Sequence, residues 1–80
     1  MDMNNLVHMA NKIGVFFEAM PDHNDALRDI VDHLHKFWEP RMRRQLLAYL
    51  DSENGKDLLP IVVEAIHTHR NQLSQKNQSI

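Results

Sequence analysis

The chain of 80 residues contains no cysteine, so it can form neither a disulfide staple nor a thiolate zinc site. Its two glycines, Gly14 and Gly55, stand far apart, and no glycine-rich loop is available to cradle a phosphate. No apolar run approaches the roughly 20 residues of a membrane span. The opening MDMNNLVHMANKIGVFF lacks a basic start and a small-residue cleavage site, so a secretory signal is not expected. A soluble, cytoplasmic protein is the expectation. Formal charge is also scarce: the net value is -2 with neutral histidines, which does not favour general nucleic-acid affinity. A chain this short buries only roughly 60% of its unfolded surface, so its own core is thin. Self-association, a partner or a His/carboxylate metal site is the remaining means of support.

What is present is helical periodicity. In residues 5 to 19, Leu6, Met9, Ala10, Ile13, Phe16, Phe17 and Met20 share one arc, with Asp2 or Asn4 available as cap and Pro21 as terminator. Gly14 sits at the edge of that arc, either merely tolerated or marking the close approach of another helix. Asp22 precedes a second helix over about 23 to 38, with Ala26, Leu27, Ile30, Val31, Leu34, Phe37 and Trp38 on its buried side. Arg28/Asp32 and Asp32/Lys36 have i,i+4 spacing on its outer face. Pro40 restarts the chain as a third helix to about 50, burying Met42, Leu46, Tyr49 and Leu50. DSENGK, residues 51 to 56, is a turn in which Asn54-Gly55 can adopt positive φ. Asp57 is a candidate cap for a fourth helix over about 58 to 70, with Leu58, Leu59, Val62, Val63 and Ile66 on its buried side. The expected fold is an all-α bundle of about four short helices with a proline corner between the second and third. Residues 1 to 70 form one domain and residues 71 to 80 a polar, flexible tail.

Catalytic chemistry finds little support. The histidine pairs His33/His35 and His67/His69 are two residues apart, which on a helix points them about 200° from each other. Asp29/His33 and His35/Glu39 have chelating spacing, but each supplies two ligands only and needs a third from another helix. Ser52, Ser74 and Ser79 lie in a turn and a tail rather than in a rigid site. No catalytic, cofactor-binding or metal residue is assigned.

The informative stretch is HLHKFWEPRMRRQ, residues 33 to 45. Lys36, Arg41, Arg43 and Arg44 against Glu39 leave it at +3, so the remainder of the chain carries -5. A local basic patch on an acidic chain suits one defined anionic surface. Arg41 and Arg44 fall about 60° apart on the polar side of the third helix. Arg43 falls between Leu47 and Leu50 on the apolar border, where it must snorkel, pair with a carboxylate or contact a partner. Tryptophan and arginine are enriched at interface hot spots. The candidate partner-binding set is Trp38, Arg41, Arg43 and Arg44, with Phe37, Pro40 and Met42 shaping the corner. The plainer alternative makes Phe37 and Trp38 core and the arginines a solvated face.

Three segments together, LVHMANKIGVFF (6 to 17), HLHKFWEPRMRRQLL (33 to 47) and LLPIVVEAI (58 to 66), resemble the delta subunit family of soluble, molybdenum-containing, NAD-dependent formate dehydrogenases. The middle segment is the most specific. Glu39 departs from the aspartate more usual in the family. The resemblance implies a small, non-catalytic subunit without a cofactor of its own, which stabilises or helps assemble the complex by docking on the large catalytic subunit. That subunit would carry molybdopterin guanine dinucleotide and iron–sulfur clusters, and other subunits flavin. The alternative from another class is a stand-alone homodimeric helical regulator that binds nucleic acid through the arginine cluster.

Overall fold

The computed structural model describes residues 2–74. Five α-helices follow one another: α1 (Met3–Glu18), α2 (His23–Phe37), α3 (Pro40–Glu53), α4 (Pro60–Thr68) and the short α5 (Arg70–Ser74). There is no strand among the described residues, and no helix there is long and apolar enough to cross a membrane. The all-α bundle and its proline corner are as the periodicity predicts.

Each helix starts for a local reason. Asp2 accepts the Asn4 amide at 3.2 Å and Asp22 accepts the Asp25 amide at 3.0 Å, satisfying donors that the first turn leaves open. α3 and α4 have no side-chain cap; Pro40 and Pro60 are their first residues and remove one of those donors instead. Glu39, too long for a short-range cap, makes no such bond. Asn54 and Gly55 take positive φ, 59° and 63°, and stop α3. A Cβ on Gly55 would meet Leu50 at 2.6 Å, so this position needs glycine for space as well as for φ.

α2 is the central element and packs against the other four helices. Its Ala26, Leu27, Ile30, Val31 and Leu34 face Leu6, Val7 and Ala10 of α1, Leu46 and Leu50 of α3, and Ile61, Val62, Ala65 and Ile66 of α4 within one aliphatic core. The buried face of α1 is rotated from the expected arc: Val7 and Gly14 are inside it, whereas Phe16 is 72% exposed. Gly14 marks a close crossing of α1 and α4, since a Cβ there would stand 2.6 Å from Cγ2 of the buried Val62. Phe37, expected in the buried stripe of α2, is 71% exposed. The chain leaves the helix at Trp38 in an extended conformation, which turns the indole inward in its place.

Further expectations are corrected in the second half. Asp57 does not cap α4; Leu59 is its N-cap residue, and Asp57 Oδ2 accepts a 3.3 Å hydrogen bond from the Tyr49 hydroxyl. The α3–α4 loop is fastened from α1: Asn11 Oδ1 accepts the Leu59 amide at 2.8 Å and Asn11 Nδ2 donates to the Asp57 carbonyl at 3.0 Å. Both loop groups therefore have partners near the packed interior. Arg28 pairs with Asp25 and Asp29 rather than Asp32, while Lys36 does pair with Asp32 at 3.1 Å. Helical structure continues to Ser74, and Leu73, placed in the expected tail, is 1% exposed in the core. Arg70 on α5 bonds Asp51 of α3 at 2.7 Å beside it. The rest of the expected tail, 75 to 80, lies outside the described residues.

Gly14→Ala is expected to destabilise the fold by about 1–2 kcal/mol: overpacking against Val62 costs about 1–3 kcal/mol and outweighs the helix-propensity gain of up to about 1 kcal/mol. Urea denaturation measures it. Adding Val62→Ala must recover part of the Gly14→Ala loss relative to additivity; strictly additive losses would mean that the two positions do not collide.

Candidate functional site

The α2–α3 corner consists of two extended residues, Trp38 and Glu39, between Phe37 and Pro40. Proline disfavours the helical region for the residue before it, which fixes Glu39 as extended. The corner sets where the seven candidate residues go. Pro40 opens α3 at the surface, and Arg41 and Arg44 are exposed. Met42 is half-buried and packs on the core. Trp38 is 5% exposed and belongs to the core.

Arg43 is 2% exposed. Its Nη1 donates to the carbonyls of His35 and Trp38, each at 2.8 Å. These are carbonyls of the last turn of α2 and its C-cap, where helix geometry leaves acceptors without amide partners and concentrates negative potential. The acceptors expected of a partner are the chain's own. Hydrogen bonding to the chain's own backbone was not among the options read from the sequence (snorkelling, a carboxylate or a partner), although the apolar border singled out the position. Burial, and next the charge of Arg44, pull its pKa below the ordinary arginine range, but a guanidinium of this kind remains a cation.

The outward surface is built differently. All three phenylalanines of the chain lie in one row. Phe16 meets Phe17 edge-on at 5.0 Å, Phe17 meets the His33 ring at 6.1 Å, and His33 meets Phe37 at 4.7 Å. The row crosses from the second half of α1 to the last turns of α2. It is held by i,i+4 geometry, because His33 and Phe37 are one turn apart on α2. Beside it lies an apolar hollow of about 210 Å³ lined by Lys12, Ile13, Phe16, Phe17 and His33. Val15 adds a further exposed apolar side chain on α1. Phe37 was expected in the buried stripe while shaping the corner of the partner-binding set, and Phe16 and Phe17 were assigned to the core; Phe16 and Phe37 are instead exposed. The adjacency of Phe16 and Phe17 gave the available signal, since two neighbouring residues differ by about 100° and cannot both point to the centre of one face.

His33 is thus a member of an aromatic row, and the His35 carbonyl is an acceptor for Arg43. Among the described residues no three histidine or carboxylate side chains come together as a metal-holding group. His23 and Glu64 meet at 2.8 Å on the surface and join the start of α2 to α4.

Fold and surface define a small all-helical protein whose aliphatic residues fill the interior while its phenylalanines gather on one outer face. The chain belongs to the NADH-dependant formate dehydrogenase delta subunit family FdsD, whose family model matches residues 5–66 of the 80. That span holds most of α1, all of α2 and α3 and most of α4, with both the aromatic row and the Arg43 corner. No curated protein and no solved structure matches the chain.

Arg43→Ala is expected to cost about 2–4 kcal/mol of unfolding free energy, because one buried and one part-buried carbonyl lose a charged donor and the removed side chain leaves a void. Arg41→Ala, at an exposed position, should stay within about 0.5 kcal/mol of the unaltered chain. Parallel urea titrations compare them, and equal midpoints for the two variants would rule out the corner-locking role of Arg43.

Proposed function

We propose that this chain is a non-catalytic delta subunit that stabilises, or helps assemble, an NAD-dependent, molybdenum-containing formate dehydrogenase by docking on its large catalytic subunit. Family membership supports a place within such a complex. The observation that carries docking is the aromatic row, with Phe16 and Phe37 more than two-thirds exposed on a chain whose core is mostly aliphatic around Trp38 and Tyr49. Aromatic residues are enriched at protein–protein interfaces, where they bury large area at low entropy cost. Clustered exposed apolar side chains on a small domain mark an interaction surface.

In this reading Phe37, Arg41 and Arg44 make contact. Trp38, Met42 and Arg43 from within, and Pro40 at the surface, fix the corner. Molybdopterin guanine dinucleotide, iron–sulfur clusters and flavin then reside in the partner subunits, and the assembly works in the cytoplasm. The nucleic-acid alternative is less favoured by the geometry, because burial of Arg43 against backbone leaves Arg41 and Arg44 as the exposed members of the cluster.

Phe16→Ser/Phe37→Ser is expected to keep the helical circular dichroism and thermal midpoint of the unaltered chain. It should also abolish its copurification with the large subunit and lower the formate dehydrogenase activity of the recovered complex. Copurification at the unaltered level, with a complex of full activity, would exclude this face as the docking surface.

A further inference from the structure

The hollow beside the aromatic row has a chemical bias. Its floor and walls are Ile13, Phe16, Phe17 and His33, and its one fully charged lining residue is Lys12. Lys12 and Phe16 are one turn apart on α1, as are Ile13 and Phe17, so the helix offers two parallel ridges and α2 closes the far side with His33. Elsewhere Arg28 pairs with Asp25 and Asp29, Lys36 with Asp32 and Arg70 with Asp51, whereas Arg41, Arg44 and Lys56, away from the hollow's lining, are exposed without an ion pair among the described residues. Lys12 has no ion-pair partner among the described residues, although the chain as a whole is acidic.

Resting on the docking reading above, we propose that the hollow receives an apolar side chain of the large subunit, carried on a segment that places a carboxylate against Lys12. The occupant is an acidic, amphipathic segment of that partner. The hollow offers apolar surface to one residue, and the unpaired ammonium at its edge selects the charge of the next. A second copy of this chain fits less well: an isologous pair through the same face would bring two unpaired Lys12 cations into one interface. Lys12 thereby sets register and encounter rate, while Phe16 and Phe37 supply the buried area.

The test is capture of the delta-free formate dehydrogenase complex by immobilised full-length chain, at low and high salt. Lys12→Glu is expected to weaken capture about tenfold at ~0.05 M salt, and the difference should narrow to about twofold at ~0.5 M as charges are screened. Lys12→Met should weaken it by a smaller factor with the same salt trend. If Lys12→Glu binds like the unaltered chain at low salt while Phe16→Ser/Phe37→Ser does not bind, the carboxylate contact is refuted and docking through the row stands. If neither variant loses affinity, the docking face itself is wrong. Sedimentation supplies the remaining outcome: a stable dimer of the unaltered chain that Phe16→Ser/Phe37→Ser converts to monomer, with capture unchanged, would assign the face to self-association and overturn the proposal.

Discussion

The buried guanidinium of Arg43 governs the geometry on which the rest depends. It closes the C-terminus of α2 from the first turns of α3, with 2.8 Å bonds to two carbonyls. A charged donor removed from water is costly unless it is well paired, and so are carbonyls without a donor. Each problem is solved by the other only at one angle between the two helices. Pro40 supplies the break, Glu39 the extended approach, and Arg43 the lock. Because α2 packs on every other helix, fixing its end fixes the frame in which α1, α4 and α5 find their places.

That frame separates two kinds of side chain. Aliphatic residues interdigitate inside, and Gly14 lets α1 approach α4 closely enough to leave no gap above Val62. Interiors at this density do not accept an added methyl group without displacement. The phenylalanines collect where α1 and α2 run beside each other, with Phe17 packed partly against the core and Phe16 and Phe37 exposed. A chain of this length has limited apolar area for its own stability. Keeping Phe16 and Phe37 outside spends some of that area on a surface, which suits the docking role proposed above.

The two loops show how polar groups finish the job. Asn11 reaches from α1 to one amide and one carbonyl of the α3–α4 connection, and Tyr49 brackets Asp57 from the other side, its hydroxyl also accepting the Asp57 amide. These contacts span up to 48 positions of sequence. Asn11 lies outside the apolar arc of its helix, and the position of the loop above α1 gives that amide its two partners.

The sequence alone determined the first four helices and several of their limits, but not the start of α4 or the helical structure continuing to Ser74. Asp2 and Asp22 as caps, Pro40 as a first residue and Asn54-Gly55 as a turn act through neighbouring atoms and are readable locally, whereas the start of α4 at Pro60 rather than after Asp57 was not. The sequence also singled out the α2–α3 corner and the family. Tertiary structure decided which margin of each apolar arc is covered. Periodicity defines a face broader than the area its neighbours reach, so Val7, Ile61 and Leu73 became core while Phe16 and Phe37 did not. It decided, too, that Arg43 turns inward to backbone and Arg41 and Arg44 outward. A helical position specifies a direction, but what stands in that direction is set by the packing of other helices.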